Sequence, residues 1–266
     1  MHFGPAGYPE GTKGPKEAME SIRRLGLNAM EMEYVRGVRT SSEKLAETGN
    51  IAKELDITLT AHAPYFVSLN SDKPETRESS LVHIMDTVKA AHILGAYSIA
   101  IHAASYGKTP DKATENVIAG LIKCKEQMDD LGIKDVILGL ETMGKSGTWG
   151  TLKEIAEVMD SVDGVHPVLD VAHVHARDNG CLKTKEDMRS LINEFFQIAA
   201  ERPHFHISCI KYTEKGESSH LPLEAKDPNM SMLADVLRDE KRDCTFISES
   251  PLLEKDSLVF KNMFKS

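Results

Sequence analysis

The stretch VHPVLDVAHVHARDN, residues 165–179, contains a short apolar run that ends on Asp170, with His173 and His175 close behind it. An apolar run of this length bounded by turn residues is typical of a buried parallel strand, although a buried helix segment has the same pattern. In a protein built from βα repeats, polar residues at the end of a strand lie where the chemistry is usually housed. Taken alone, the stretch fits a second interpretation equally well, in which Asp170 caps the next helix and the two histidines form hydrogen bonds within a loop.

The pattern of a short apolar run followed by a helical segment recurs along the whole chain. Eight strands are predicted at residues 2–4, 29–34, 57–62, 97–102, 136–141, 165–170, 205–210 and 244–249. Helices are predicted at residues 14–25, 42–55, 73–94, 110–131, 151–159 and 184–200, with a final helix after the last strand. Eight βα units in a chain of 266 residues predict a single-domain α/β protein, a (β/α)8 TIM barrel over residues 1–266. An open doubly wound sheet is the alternative, but no GxGxxG motif follows the first strand.

Composition sets limits on location and partners. No run of 18 apolar residues and no basic segment followed by an apolar one is present, so neither a membrane span nor a secretion signal is expected. Four scattered cysteines without a CxxC pair favour reduced thiols in a cytoplasmic protein. The net charge of −9 lacks the basic character that is usual for nucleic-acid binding. No obligate protein partner is expected.

Polar residues mark the ends of the predicted strands. His62, His102, Glu141, Asp170 and Glu249 each end an apolar run, and His206 lies inside one. Successive members are 29 to 43 residues apart, about one βα unit, so closure of a barrel would bring all six to one mouth. Nitrogen and carboxylate ligands suit zinc, with manganese as a second possibility. Six ligands are too many for one tetrahedral ion, so at least two ions are expected to share a carboxylate, with Glu141 as the bridge.

Two neighbouring ions suit hydrolysis of a phosphodiester, because one can activate water and the other can stabilise the leaving oxygen. Metal-assisted isomerisation or epimerisation of a sugar is an alternative for the same carboxylate-rich mouth. A metal-binding barrel without catalytic activity, such as a binder of DNA lesions, is a further alternative. His173 and His220 are additional histidines that could hold a third ion, or could be exposed loop residues.

Several motifs resemble, in order, those of the endonuclease IV family of zinc-dependent apurinic/apyrimidinic endonucleases. They are TAHAPYFVSLN, IHAAS, GLETMGKSGTWG, PVLDVAHVHARDNG, FHISCIKY, SSHLPL and ISESP, and they span residues 57–251. The resemblance implies a xylose-isomerase-like TIM barrel with three zinc ions. It assigns one ion to His62, His102 and Glu141, a second to Glu141, Asp170, His206 and Glu249, and a third to His173, His220 and an acid from the preceding loop.

The resemblance also implies a substrate, double-stranded DNA with abasic sites, cut at the phosphodiester 5′ to the lesion. Glu141 would bridge the metals and orient water, and Glu249 would position a metal beside it. Tyr65 and Phe66 match a wedge pair that enters the minor groove, a known device for reaching a buried backbone site. Arg36 corresponds to an arginine that contacts DNA.

The chain departs from this family pattern in three places. The aspartate-x-histidine pattern of the third ion is replaced by Ser218-Ser219-His220, so Glu217 is the nearest acid. The first strand and its loop, HFGPAGYPEG, lack the expected histidine pattern. Glu31 and Glu33 in the second strand are more similar to the sugar-isomerase relatives, and one of them would face the mouth if a sugar were the substrate.

Overall fold

Eight parallel strands curl into a nearly closed barrel in the computed structural model, which describes residues 1–265. The strands are β1 (His2–Pro5), β2 (Ala29–Glu33), β3 (Thr58–His62), β4 (Ser98–Ile101), β5 (Ala104–Ser105), β6 (Ile137–Glu141), β7 (Thr148–Trp149), β8 (Val165–Asp170), β9 (His204–Ile207), β10 (Cys209–Thr213), β11 (Gly216–Leu221) and β12 (Thr245–Ser248). The helices are α1 (Pro15–Arg24), α2 (Ser42–Glu54), α3 (Pro74–Leu94), α4 (Ala113–Asp130), α5 (Leu152–Met159), α6 (Val171–Arg177), α7 (Lys185–Ile198), α8 (Met230–Leu237) and α9 (Glu254–Met263).

The barrel strands follow one another around the barrel in chain order, β1, β2, β3, β4, β6, β8, β9 and β12, and every ladder between them is parallel. The barrel is completed between β1 and β2, where the backbone N–H of Asn28 donates a hydrogen bond to the Phe3 carbonyl oxygen at 3.0 Å. Gly4 permits this approach, because a Cβ there would lie 1.7 Å from the Ala29 carbonyl oxygen. Parallel strands of one barrel all end at the same mouth, so residues distant in sequence meet there.

Apolar side chains on the outer face of the strands are covered by the helices. Phe246 of β12 stacks on Phe205 with ring centroids 4.8 Å apart and on Phe3 at 5.3 Å, and Phe260 of α9 packs against it. Complete burial of each such side chain contributes about 1.5–3 kcal/mol. This packing holds the strands in place from outside and leaves the inner face free to carry polar residues.

The predicted (β/α)8 barrel is confirmed, and β8 has the predicted bounds of residues 165–170. The predicted strand at residues 205–210 is wrong in its second half. The chain leaves the barrel at Ser208, and β10 pairs with β11 in an antiparallel hairpin. The segment around His220, predicted to be a loop, is therefore a strand. His173 and His175 lie in the short helix α6 rather than in a loop, and turn residues follow that helix at Asp178 and Asn179.

Among residues 1–265, no helix combines the length and the apolar character needed to cross a membrane.

Candidate metal centre

The six predicted strand-end residues converge at one mouth of the barrel. His62, Glu141 and Asp170 are the last residues of β3, β6 and β8, and His102 and Glu249 directly follow β4 and β12. His206 lies inside β9, paired with Asp170 of the neighbouring strand. His62, Glu141, Asp170 and His206 are fully buried or nearly so. The convergence expected from the spacing is therefore observed.

Two imidazoles meet one carboxylate oxygen in the first group, His62, His102 and Glu141. The Nε2 atoms of His62 and His102 lie 3.1 and 2.9 Å from Glu141 Oε2. The Nδ1 atom of His62 lies 2.6 Å from the Ala63 carbonyl oxygen, which fixes the ring with Nε2 toward the mouth. The group has the His/His/carboxylate composition of a zinc site.

A second group combines three carboxylates with one imidazole. One ligand atom from each of Glu141, Asp170, His206 and Glu249 lies within 4.8 Å of the others. His206 Nδ1 lies 3.4 Å from Glu141 Oε1 and 3.5 Å from Glu249 Oε1. Glu141 thus belongs to both groups, the arrangement expected of a bridging carboxylate.

Asp170, His173 and His220 form a third group with the same mutual spacing. The Asp170 carboxylate accepts a hydrogen bond from the backbone amide of His173 at 2.7 Å and is the N-cap of α6. Asp170 therefore caps a helix and also lies among the possible metal ligands. The His173 and His220 Nε2 atoms lie 3.3 Å apart, and Glu217 Oε2 lies 3.5 Å from His173 Nε2. The structure therefore offers Asp170 as the acid beside these histidines, with Glu217 adjacent to the group.

Unsatisfied polar atoms test whether these residues fit a metal cluster. Glu141 Oε1, Asp170 Oδ2 and His206 Nδ1 are buried and have no hydrogen-bond partner. Buried polar atoms without partners are costly, and cations at the shared carboxylates would satisfy all three. With only nitrogen and oxygen donors, the set fits zinc or manganese.

Burial and neighbouring carboxylates shift the pKa values of the histidines in opposite directions. Burial lowers the pKa of His102 and His220, and it outweighs the neighbouring carboxylates. Burial alone would also lower the pKa of His62, but the hydrogen bond to Glu141 and the charges of Glu33 and Glu31 raise it to about 10. Burial raises the pKa of the Glu249 carboxyl to about 8. The acid-rich centre therefore retains protons that a cation would displace.

A cavity of about 580 Å³ opens above the three groups, and its wall includes Tyr65, Phe66, Lys145 and His220. Tyr65 packs on the rings of His62 and His102, with centroids 4.7 and 5.0 Å apart. Even so, Tyr65 is 49% and Phe66 53% exposed, so both side chains project from the mouth. Arg36 is exposed in the turn after β2 and is not among the residues that line this cavity.

Two further residues lie next to the centre: His204, which was not predicted, and Glu31, which was predicted only as a possible acid facing a sugar substrate. Glu31 and His204 point into the barrel and are buried, and together with His206 they form a further group of possible ligands. The alternation in PHFHIS places His204 and His206 on the same face of one strand, and that pattern could have revealed His204. Glu31 lies inside the barrel, whereas Glu33 lines the mouth beside Tyr65 and Glu249.

The sequence model of the family described as xylose isomerase-like TIM barrel matches residues 19–259. The chain belongs to this family. It is therefore an enzyme of the xylose isomerase-like superfamily, in agreement with the barrel and with the polar mouth described above.

Among relatives of this xylose isomerase-like barrel, an uncharacterized protein of Methanocaldococcus jannaschii is 30% identical over 270 residues, which cover 98% of this chain and 96% of that protein. The probable endonuclease 4 of Listeria monocytogenes serotype 4b is 30% identical over 195 residues, 68% of this chain. The match spans 63% of that relative, less than two thirds of its length. The resemblance to the endonuclease IV family is thus confirmed by sequence comparison.

Solved structures of the same fold include both nucleases and sugar enzymes. Endonuclease IV from Thermus thermophilus superposes with a TM-score of 0.77 at 21% identity, covering 100% of this chain and 99% of that one. A D-tagatose 3-epimerase-like protein superposes with a TM-score of 0.75 at 18% identity, covering 100% and 96%. At these identities the superpositions show the fold alone.

Proposed function

We propose that this protein is a zinc-dependent endonuclease that hydrolyses the phosphodiester 5′ to an abasic site in double-stranded DNA. The observation that carries the proposal is the sharing of carboxylates: Glu141 belongs to two ligand groups, and Asp170 belongs to two. Three adjacent groups in one buried mouth suit a multinuclear centre better than a single ion. Sequence similarity to probable endonuclease 4 supports the same activity.

The residues that would hold the metals are those of the three groups, with Glu217 beside the third. When bound, zinc ions would supply Lewis-acid stabilisation of the phosphoryl oxygens and would make water a stronger nucleophile near neutral pH. Glu141 and Asp170 fix the spacing of the groups, because each carboxylate reaches two of them. Glu249 lies partly open to the cavity, which supports its proposed role of positioning a metal on the substrate side, while Glu141 would bridge the metals and orient water.

Tyr65 and Phe66 are the side chains that we propose contact the DNA. Tyr65 covers His62 and His102, and it shields the first group from bulk water. The Phe66 ring packs edge-on against the ring of His83 in α3, with centroids 4.8 Å apart, and this contact restricts the movement of the exposed ring. Two supported aromatic side chains beside the ligand groups suit insertion at the gap left by a missing base.

A sugar epimerase is the second candidate, and one observation favours it. Glu33 lines the mouth next to Glu249, as expected if an additional acid faces a sugar substrate. Burial raises the pKa of Glu33 to about 7, a value suited to proton transfer. The third group, with His173 and His220, weighs against this candidate, because a single ion at the second group would leave the third without a role.

The two functions are separated by parallel assays on one preparation. Protein supplied with zinc or manganese is incubated with a duplex that carries one tetrahydrofuran abasic analogue, with the undamaged duplex, and with ketose sugars. We expect a nick immediately 5′ to the analogue, and none in the undamaged duplex. His62→Ala and Glu249→Gln should abolish the nicking. Absence of nicking at micromolar enzyme, together with sugar turnover, would overturn the proposal.

A further inference from the structure

A buried carboxylate lies directly behind the metal centre and is not used in the proposed function. Glu31 has no solvent exposure, and its neighbours His204 and His206 are 3% and 0% exposed. Glu31 Oε1 lies 3.0 Å from His206 Nε2, and Glu31 Oε2 lies 3.2 Å from His204 Nε2. The Thr60 hydroxyl donates to Glu31 Oε2 at 2.8 Å. A carboxylate this deep in a barrel requires donors. The Thr60 hydroxyl supplies one, and Glu31 Oε1, His204 Nε2 and His206 Nε2 lie close together without an aligned hydrogen bond.

His206 connects this carboxylate to the metal centre. One ring nitrogen, Nε2, faces Glu31, and the other, Nδ1, faces Glu141 and Glu249. A neutral imidazole carries one proton, so the nitrogen that donates leaves the opposite nitrogen as a lone-pair ligand. The partner of Nε2 therefore decides whether Nδ1 can bind a cation.

We propose that Glu31 is a positioning residue: it accepts the Nε2 proton of His206 and thereby directs the Nδ1 lone pair at the group formed by Glu141, Asp170 and Glu249. This inference rests on the proposed function, because it requires a cation at that group. The Thr60 hydroxyl holds the Glu31 carboxylate in place through its other oxygen, and His204 Nε2 lies 3.2 Å from that oxygen.

His206 differs from the other histidines of the centre in the partner of its second ring nitrogen. The second nitrogen of His62 faces the Ala63 carbonyl at 2.6 Å, and that of His173 faces the Thr142 carbonyl at 2.9 Å. The His220 Nδ1 atom meets the Ser208 hydroxyl at 2.9 Å. These three partners are neutral. His173 Nδ1 also lies 3.1 Å from Glu141, but Glu141 belongs to the ligand groups themselves, whereas Glu31, which faces His206 Nε2, is a carboxylate behind them. A carboxylate raises the basicity of the imidazole it holds, so His206 becomes the stronger ligand.

A separate cation held by Glu31, His204 and His206 is the competing interpretation of the same atoms. It would require His206 to present lone pairs from both nitrogens at once, and hence to lose its remaining ring proton. The positioning role needs no such step, because the Thr60 hydroxyl already donates to Glu31 Oε2 and His206 Nε2 lies 3.0 Å from Glu31 Oε1.

The test is a zinc competition titration on the full chain, with Glu31→Gln compared with wild type and with Glu33→Gln. Glu33 is a matched control, because it lies on the same strand and its hydrogen-bond contact is with Tyr65 rather than His206. We expect Glu31→Gln to weaken one zinc equivalent by about 10- to 100-fold and to leave the remaining zinc unchanged. Glu33→Gln should bind that equivalent as wild type does. Equal affinity in Glu31→Gln and wild type would overturn the inference, whereas wild type without zinc would overturn the proposed function itself.

A second measurement uses only wild-type protein and does not depend on the variant folding. Long-range nitrogen–proton NMR spectra of the zinc-loaded protein report which nitrogen of each imidazole carries the proton. For His206 we expect a protonated Nε2 and a metal-bound Nδ1. A metal-bound or unprotonated Nε2 would contradict the positioning role and would support the competing cation.

Discussion

At the scale of single residues, Glu141 is the side chain that joins the first and second ligand groups. Its Oε2 atom meets the two imidazoles of the first group, and its Oε1 atom faces His173 at 3.1 Å and His206 at 3.4 Å. Burial works against its charge, but the attraction of His102 and His206 keeps the pKa of Glu141 well below its ordinary range. A carboxylate that stays ionised and offers both oxygens is the chemical requirement for a bridge between cations.

The exposed aromatic pair gives the first prediction. Replacing Tyr65 and Phe66 together by alanine should weaken binding to an abasic duplex by at least about tenfold, since base–aromatic stacking contributes about 1–3 kcal/mol per ring. Both rings are about half exposed, so the melting temperature and zinc content should change little. Fluorescence anisotropy measures the affinity. Leu131→Ala, at the exposed C-terminal end of α4, is the control for loss of an apolar surface side chain. Unchanged DNA affinity in the double variant would contradict the wedge role.

Protons held by the centre give the second prediction. At pH 7 the metal-free protein keeps His62 charged, with a pKa of about 10, and Glu249 neutral, with a pKa of about 8. His173 and His206 also have pKa values well above the ordinary range, because the neighbouring carboxylates outweigh the effect of burial. Zinc needs all four ligands in their deprotonated forms, so binding should release about four protons at pH 7, and zinc affinity should rise with pH. Above about pH 8 Glu249 is already ionised, so fewer protons are released. Calorimetry in buffers of different ionisation heat counts them. Glu249→Gln should release one proton fewer, and an absence of proton release in wild type would contradict the ligand assignment.

The strand-end residues could be predicted because their position depends only on where each apolar run stops. The positions of His62, Glu141 and Asp170 could be predicted without knowing which strands pair, since parallel strands of a barrel all end at one mouth. The role of Glu31 could not be predicted in this way. Its partner His206 is 175 residues away, and their contact depends on the register between β2 and β9, two strands that are not neighbours in the barrel.

At the scale of elements, the hairpin formed by β10 and β11 completes the third group. It carries Glu217 and His220 back over the mouth and is held to the loop after β6 by a bridge between Lys145 and Gly216. Gly144 makes room for this contact, because a Cβ there would lie 2.8 Å from Glu217 Cβ and 3.0 Å from His173 Cδ2. The hairpin was missed in the sequence because the apolar run at residues 205–210 continues through the point where the chain leaves the barrel.

Gly216→Ala gives the third prediction, which concerns this hairpin. Gly216 has a φ of 91°, and a Cβ there would lie 2.1 Å from the Gly144 carbonyl oxygen. The variant should lose about 1–3 kcal/mol of folding free energy and displace Glu217 and His220, so that about one zinc equivalent binds more weakly. Denaturant unfolding and zinc titration measure the two effects. Gly147→Ala, where nothing lies within 4 Å of the added Cβ, is the control. Wild-type zinc binding by Gly216→Ala would show that the hairpin does not hold the third group.

At the scale of the whole molecule, the net charge of −9 must be reconciled with a DNA substrate. Cations near the mouth are few, with Lys145 on the cavity wall and Arg36 in the exposed turn after β2. Bound zinc would offset part of the negative charge of the carboxylates. Affinity for DNA is therefore expected to depend on the loaded centre and on a small number of phosphate contacts.

The fourth prediction is a modest but measurable salt dependence. Binding of the abasic duplex should weaken by roughly tenfold between about 50 and 200 mM salt, which corresponds to about two neutralised phosphates. Arg36→Ala should reduce the logarithmic salt slope by about one, whereas a sugar epimerase would show no such dependence. Affinity that does not change with salt in wild type would favour the sugar candidate.

The central claim is that histidines and acids from separate strands hold cations through shared carboxylates. The most direct test is the zinc content, by inductively coupled plasma mass spectrometry, of wild type and Glu141→Gln after dialysis against metal-free buffer. Wild type should retain about two to three zinc ions per chain, and Glu141→Gln should lose at least about one, because Glu141 belongs to two of the groups. A wild-type protein that retains no zinc, or a Glu141→Gln variant that retains all of it, would contradict the claim.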